Sequence, residues 1–139
     1  GFEFAFRKKT NVVRTTVDDW EETGTDLSSF IGAVNSFKNA NSIFWREYAT
    51  YPFELAEGSG DVAGVIKLAG KNGPCALMLI NRSSNNSQHV VVDNISQALP
   101  GGPSIRLVVV DEQIRSEPVT TERFEDDIPP SGLWLLMRD

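Results

Sequence analysis

Few residues of this chain could act as a nucleophile, a base or a metal ligand, and they are far apart. His89 is the only histidine and Cys75 the only cysteine among 139 residues. Any Ser–His–Asp or Cys–His arrangement would have to use His89, which precedes three valines and has no serine in a nucleophile-elbow context. We therefore interpret His89 as the solvent-exposed start of a strand, and Cys75 as a buried, inert thiol.

The small number of cysteines and histidines also limits which metals or cofactors the chain could bind and indicates its cellular location. One cysteine cannot form an intrachain disulfide, and one histidine without a cysteine cluster makes a metal site improbable. The glycines at 58–60 and 70–73 are typical of turns rather than of a phosphate-binding loop, because no helix pattern follows either. We expect no metal and no cofactor, and the lone thiol favours a reducing, cytoplasmic location.

Carboxylates are the remaining candidates for chemistry. A retaining glycosidase needs two carboxyl groups about 5 Å apart across a sugar cleft. The acidic clusters lie in polar stretches flanked by Gly or Pro, and neighbouring side chains on a strand point apart. We interpret all of them as solvated loop faces: Asp18-Asp19, Glu21-Glu22 and Glu125-Asp126-Asp127.

Aromatic side chains could bind sugar without doing chemistry, because flat rings stack on the apolar faces of pyranoses. Trp20, Tyr48 and Tyr51 are candidates, and Trp20 stands out because its neighbours are acidic. Trp45 is a weaker candidate. For Trp45 and Trp134 the sequence favours core packing, since aromatic residues dominate buried area.

Composition limits the partners. Hydrophobic residues make up 40% and charged residues 23%, and the formal net charge is -6. A phosphate-binding surface needs a basic field, so we expect neither a nucleic-acid partner nor binding to an anionic membrane. No apolar run reaches the roughly 18 residues that span a bilayer.

The N-terminal third has the pattern of one strand, one loop and one helix. Phenylalanines at 2, 4 and 6 alternate with other residues, which predicts a strand over residues 1–6. A long polar stretch, residues 7–25, follows. Asp26 can cap a helix whose apolar stripe is formed by five residues at helical spacing, and the helix should end near 39–41. The stripe residues are Leu27, Phe30, Ile31, Val34 and Phe37.

The rest of the chain has the texture of a β-sheet protein. Aromatic-rich pieces at 43–45 and 48–51 could be short and extended, and from residue 53 short apolar runs alternate with turn clusters such as 70–74, 83–87 and 126–132. Runs 75–80 and 105–110 are apolar on both faces, which predicts strands covered on both sides. The candidate strands are Phe53–Leu55, Val62–Leu68, Cys75–Arg82, His89–Asn94, Ile105–Val110, Val119–Glu122 and Leu133–Arg138.

This order of elements, together with local motifs, resembles the end of a glycoside hydrolase family 13 protein of the α-amylase superfamily. Gly1-Phe-Glu-Phe-Ala5 is similar to the end of the eighth barrel strand, and residues 11–20 resemble the following loop in the bacterial maltosyltransferase-like branch. Asp26-Leu-Ser-Ser-Phe-Ile31 resembles the eighth barrel helix. Residues 75–83, 88–93 and 132–136 resemble strands of the C-terminal domain.

The resemblance implies a fold and a division of the chain. Residues 1–45 would be a remnant of the last barrel strand, loop and helix, and residues 46–139 a C-terminal antiparallel β-sandwich domain. The expected class is mainly β with one N-terminal helix, with Greek-key connections of the glycosyl hydrolase C-terminal type. The catalytic carboxylates of the family lie upstream of the eighth strand, so the resemblance places no catalytic residue here.

Three functions follow as alternatives. The first is a non-catalytic C-terminal domain that stabilises the barrel of an enzyme acting on α-glucans, itself inactive as an isolated fragment. The second is a self-contained carbohydrate-binding module, and the third is a purely structural interaction domain. For substrate contact the candidates are Trp20 and Glu3; Glu3 is either at the rim of the barrel site, as the resemblance implies, or a plain polar strand position.

The apolar helix stripe leads to a further expectation. In a whole barrel protein it would pack against the barrel, which this chain lacks. We expect residues 26–38 to fold back onto the sandwich or to meet a second copy, since exposed apolar patches usually find partners.

Overall fold

The structure is a computed structural model that describes residues 3–9, 11, 13–55, 57–58, 60–101, 104–110 and 113–138, with the backbone alone at 57 and 58. Its α-helices are α1 (Ser28–Ala40), α2 (Ser42–Trp45) and α3 (Ile95–Ala98). None of the helices in this part of the chain is long and apolar enough to cross a membrane. The strands are β1 (Ala49–Phe53), β2 (Glu57–Gly58), β3 (Val62–Leu68), β4 (Cys75–Asn81), β5 (Gln88–Val92), β6 (Ile105–Val110), β7 (Ile114–Val119), β8 (Phe124–Ile128) and β9 (Leu133–Arg138).

The strands form two antiparallel sheets. The larger has the order β1-β3-β4-β9-β6-β7 and the smaller the order β2-β5-β8. The prediction of a mainly β chain built from antiparallel sheets is confirmed. Strands β3, β6 and β9 coincide with the predicted runs, and β4 and β5 differ from them by one or two residues.

The main core lies between the two sheets. Leu77 on β4, Leu136 on β9 and Leu107 on β6 stand side by side across the middle of the larger sheet. Val90 and Ile128 face them from the smaller sheet, and Ile95 of α3 and Leu99 directly after that helix join the same cluster. Burial of this apolar surface is the main stabilising contribution to the fold.

A second apolar layer covers the opposite face of the larger sheet. Ala76, Val108, Leu135 and Met137 lie on that face, and Ile43 of α2 is buried against them. Strands β4, β6 and β9 are therefore covered on both sides, as their two-sided apolar sequences predict.

Helix α1 forms part of that second layer. Asp26 Oδ1 accepts a hydrogen bond from the Ser28 amide at 2.8 Å, but the helix begins at Ser28, so its N-cap position is Leu27 rather than the predicted Asp26. At its other end Phe37 packs over the sheet and its ring lies 5.7 Å from that of Phe44. The helix stripe thus folds back onto the sandwich at its C-terminal end, whereas Leu27 at its start stays 37% exposed.

A polar contact links the end of α1 to the sheet. The Asn41 side chain donates to the Phe37 carbonyl at 2.7 Å, and its oxygen accepts a hydrogen bond from Arg106 Nη2 on β6 at 2.7 Å. Asn41 therefore ends the helix and anchors it to the sheet through the same amide.

Several predicted elements are wrong. Residues 3–5 form a turn in which Ala5 has a φ of 51°, rather than a strand; residues 1 and 2 lie outside the described part. Residues 43–45 belong to α2 instead of an extended piece. The extended piece predicted at 48–51 is largely confirmed as β1, Ala49–Phe53, whereas the strand predicted over Phe53–Leu55 is wrong beyond Phe53. The strand expected over Val119–Glu122 is also wrong, because residues 121–122 form a bend between β7 and β8.

Strands β7 and β8 escaped prediction because their side chains are mostly polar and exposed. Strand β7 contains Pro118. Proline has no N–H to donate, and an edge strand such as β7 tolerates this because it has a partner strand on one side only. Strand β8 buries only its two ends, Phe124 and Ile128, around three exposed acids. Neither shows the apolar alternation that identifies a strand.

The N-terminal third has no core of its own. Among the described residues before Ile43, no side chain is buried, while Val13 is 91% and Val17 70% exposed. From Ile43 onward buried residues occur in six of the strands, β3, β4, β5, β6, β8 and β9. In the described residues up to 42, apolar packing on the sheets comes at the end of α1, where Phe37 contacts the second layer.

Candidate functional site

Three aromatic rings organise the segment before α1. Phe4 and Phe6 lie with ring centroids 5.8 Å apart, and Trp20 lies 5.5 Å from Phe4 and 5.9 Å from Phe6. Such offset and edge-on arrangements are favourable for aromatic pairs. The indole of Trp20 nevertheless remains 48% exposed, so about half of its surface is accessible to another molecule.

The carboxylate of Glu21 ties this segment together. Glu21 Oε2 accepts hydrogen bonds from the backbone amides of Arg7 at 2.6 Å and Lys8 at 2.8 Å. The amide of Lys8, above all, holds the pKa of Glu21 below its ordinary value. Glu21 is thus ionised at neutral pH, and it fixes the backbone at Arg7 and Lys8.

A second carboxylate shapes the turn that precedes Trp20. Asp19 Oδ2 accepts hydrogen bonds from the Thr16 amide at 2.9 Å and the Thr16 hydroxyl at 3.1 Å, which closes a short 3-10 turn over Val17–Asp19. The backbone contact with Thr16 is the main cause of the lowered pKa of Asp19. Trp20 therefore follows a turn whose geometry is held by its own side chains.

These contacts enclose an open pocket of about 440 Å³ beside Trp20. Its wall combines aromatic surface with charges of both signs and one hydroxyl. The lining residues are Phe6, Trp20, Lys8, Lys9, Arg14, Thr15, Asp18, Asp19 and Glu21. An exposed indole face surrounded by hydrogen-bonding groups suits a ligand with one apolar face and many hydroxyls, which describes a pyranose.

The structure separates the two residues predicted to contact substrate. Trp20 lines the pocket, whereas Glu3 is not among the residues that line it. Glu3 lies in the turn at residues 3–5, where its carbonyl accepts a hydrogen bond from the Leu27 amide at 2.8 Å. A contact with its own backbone amide lowers the pKa of its carboxyl, so Glu3 carries a negative charge beside the start of α1.

The cations of the pocket were missed by sequence reasoning. Lys8, Lys9 and Arg14 stand in a polar stretch with no periodicity. They reach Trp20 because Glu21 binds amides 13 and 14 residues earlier in the chain. The one available signal was the pairing of a basic run with an acidic run inside a single loop.

Exposure of the other aromatic residues agrees only partly with expectation. Trp134 is buried, as predicted, and its ring lies 5.8 Å from Phe124 in the main core. Core packing is wrong for Trp45, which is 52% exposed with the Arg46 guanidinium 4.9 Å from its ring centroid. Tyr51 is 54% exposed on β1, and Tyr48 is half-buried against the second apolar layer.

His89 is exposed near the start of β5, as predicted, but it has partners that the sequence did not indicate. Its Nδ1 lies 2.9 Å from Asp127 Oδ1, and its Nε2 lies 3.3 Å from Glu125 Oε1. The acidic cluster at 125–127 is solvent-exposed as expected, but it belongs to strand β8 rather than to a loop. Carboxylates on both ring nitrogens leave neither nitrogen to activate a serine.

The described residues contain no group of three or more His, Cys, Asp or Glu side chains that could hold a metal ion. Cys75 is fully buried, and burial raises the pKa of its thiol. This agrees with an inert thiol.

Asn81 is one of two buried polar or charged residues in the described part of the chain, the other being Arg138, and the sequence did not single it out. It is 2% exposed at the end of β4, and its Nδ2 lies within hydrogen-bonding distance of three carbonyl oxygens, those of Asn86, Ile128 and Pro129. Since β4 belongs to the larger sheet and Ile128 to the smaller one, this amide joins the two sheets at one end.

No protein-family model, curated protein or solved structure matches this chain.

Proposed function

We propose that this chain is a non-catalytic C-terminal module of an α-amylase-superfamily enzyme that acts on α-glucans. In this proposal residues 46–139 form a Greek-key sandwich of the glycosyl hydrolase C-terminal type, and residues 1–45 complete the edge of an upstream barrel. The proposal starts from the motifs at 1–5, 11–20, 26–31 and 132–136 that resemble that superfamily.

One observation carries the proposal. None of the described residues before Ile43 is buried, although this stretch holds an apolar helix stripe and two exposed valines, Val13 and Val17. An apolar segment without a core of its own gains stability when a partner removes it from water. A barrel that packs against residues 3–31 would supply that cover, while the end of α1 stays on the sandwich.

The pocket beside Trp20 supports an α-glucan as the ligand of the assembled enzyme. A half-exposed indole offers a stacking surface, and charged groups around it can bind sugar hydroxyls. In the proposed arrangement this pocket forms one side of the substrate cleft, and the catalytic carboxylates come from the barrel.

The main rival is a self-contained carbohydrate-binding module. Such a module presents several exposed aromatic rings on its strands, and in the described strands Tyr51 is the one aromatic ring more than half exposed. The exposed Trp45 lies on α2 and is occupied on one face by Arg46. The distribution of aromatic surface therefore favours a module that contributes to a larger site, and a purely structural interaction domain would have no need of the Trp20 pocket.

The coding sequence immediately upstream of Gly1 tests the parentage. We expect it to encode barrel strands that carry two aspartates and one glutamate at their carboxyl ends. Upstream sequence without such strands would contradict the proposal, as would hydrolysis of starch by the isolated 139 residues.

Replacing Trp20 with Ala in the protein that includes the upstream region tests the substrate contact. We expect kcat/KM for maltooligosaccharides to fall about tenfold, equivalent to roughly 1.4 kcal/mol, because a stacking surface is lost. Steady-state kinetics would measure this. Trp45→Ala is the matched control, since Trp45 is similarly exposed but lies outside the pocket. Equal losses in the two variants would argue against a glucan contact at Trp20.

A further inference from the structure

A continuous row of ion pairs lies along β8 on the outside of the smaller sheet. Arg123 contacts Asp93 at 3.0 Å on one side and Glu125 at 3.0 Å on the other. Glu125 in turn contacts His89, and His89 contacts Asp127. Strand β8 is an edge strand, so these side chains supplement the backbone hydrogen bonds that hold it against β5.

His89 occupies the central position because it opposes Asp127 directly in the register of the two strands. Glu125 lies two residues along β8 and so projects from the same side. Val91, two residues from His89 on β5, is fully buried although it belongs to neither apolar cluster. Val91 therefore lies on the same side of β5 as His89, the outer face of this sheet.

The two contacts of His89 favour a charged ring. A neutral imidazole carries a single N–H and can donate to one carboxylate, while its other nitrogen presents a lone pair. Here both ring nitrogens lie within 3.3 Å of a carboxylate oxygen. Only the imidazolium can donate to both, and the neutral ring would turn a lone pair toward one of the two anions.

We infer that His89, Glu125 and Asp127 form a pH-responsive clamp that holds edge strand β8 on β5 when the imidazole is protonated and weakens when the imidazole is neutral. The clamp is independent of the proposed glucan function, because none of its residues lines the Trp20 pocket. His89 is the only histidine of the chain, so a single side chain makes the response.

The direction of the response follows from the neighbours of His89. The hydrogen bond with Asp127, foremost, raises the pKa of His89, and the charges of Asp127 and Glu125 act in the same sense. A raised pKa in the folded state means that the stabilisation is complete below the ordinary imidazole value of about 6.5, and that it is lost as pH rises through the folded-state pKa. Arg123 and the neighbouring His89 keep the pKa of Glu125 low, so Glu125 remains an anion throughout.

The charged side chains near His89 that the structure describes lie on β5 and β8 or directly beside the ends of these strands. Glu125 and Asp127 face it from β8, and Arg123 and Asp93 continue the row beyond Glu125. Asp126 binds the Asp127 amide with its own side chain. On the other side of β5, strand β2 carries Glu57 opposite Val91; its side chain lies outside the described part of the chain.

Two measurements test the clamp. The first is a nuclear magnetic resonance titration of the single imidazole, in which we expect a midpoint above about 6.5 that falls in Asp127→Asn and in Glu125→Gln. The second is hydrogen exchange of the β5 and β8 amides. After correction for the intrinsic rate, we expect their protection to fall about two- to fivefold from pH 5.5 to 8.5, a range typical of an exposed ion pair.

Two variants separate the clamp from general effects of pH. His89→Gln should remove the pH dependence of protection in β5 and β8, and Glu117→Gln, on β7 of the other sheet, should leave the imidazole midpoint unchanged. A midpoint at or below that of a free imidazole would overturn the inference. So would a midpoint that Asp127→Asn does not move, or an equal pH dependence of protection in His89→Gln.

Discussion

Replacing Asn81 with Asp is expected to lower the free energy of unfolding by about 3–5 kcal/mol at neutral pH, as for a buried charge left without a partner. The wild-type Nδ2 group shares its hydrogens among carbonyl oxygens at 2.8, 3.0 and 2.9 Å, and Oδ1 accepts from the Ser83 amide at 2.9 Å. Aspartate has the same shape, but its second oxygen would face three carbonyl oxygens with no proton to share.

The loss should depend on pH in a defined direction. Burial beside carbonyl oxygens raises the pKa of the introduced carboxyl above the unfolded value of about 3.9. The destabilisation is then complete above the folded-state pKa and shrinks as pH falls through it. Urea unfolding at pH 7 and near pH 4 would measure both effects.

Asn85→Asp is the matched control, because Asn85 lies exposed in the connection between β4 and β5 that directly follows Asn81. We expect its free energy of unfolding to change by less than about 0.5 kcal/mol. An Asn81→Asp protein as stable as the Asn85→Asp protein would show that the bridge between the two sheets does not depend on the Asn81 amide.

The parts of the fold that sequence patterns predicted are those whose signal is local. Strands β3, β6 and β9 were predicted to the residue, because each is a short apolar run bounded by turn-forming residues. Burial of β4 and β6 on both faces was also predicted, since these runs leave no polar face for water. Helix α1 followed from a stripe at helical spacing and from Asp26.

The elements that sequence patterns missed depend on tertiary context. Strand β8 holds three consecutive acids, and it is extended because it pairs with β5 and buries Phe124 and Ile128 at its ends. Residues 3–6 alternate like a strand, but no strand in the described part of the chain pairs with them. The chain turns there instead, and the Leu27 amide bonds back to the Glu3 carbonyl.

The same distinction applies to the candidate sites. Trp20 could be singled out from its acidic neighbours, but its closeness to Lys8 arises from long-range hydrogen bonds of Glu21. His89 could be placed at the exposed start of a strand, but its contact with Asp127 needs the register between β5 and β8. No register could be assigned while residues 126–132 were interpreted as a turn.

Replacing Leu136 with Ala should destabilise the protein by about 3–5 kcal/mol, because the cavity left in a close-packed core adds to the lost transfer free energy. Leu136 is fully buried at the centre of the larger sheet, between Leu77 and Leu107 on the neighbouring strands. Neighbours on two flanking strands and on the facing sheet limit how far the site can collapse. Thermal or urea unfolding would measure the loss.

Leu27→Ala removes the same atoms from a site that water already reaches. Leu27 is 37% exposed at the start of α1, so we expect a loss of less than about 1 kcal/mol in the isolated chain. In the protein with its upstream region the same change should cost more, because the proposed barrel would cover this end of the helix. A Leu27→Ala loss that is equal in the two contexts would contradict the proposed cover, whereas a small Leu136→Ala loss would contradict the position of the core.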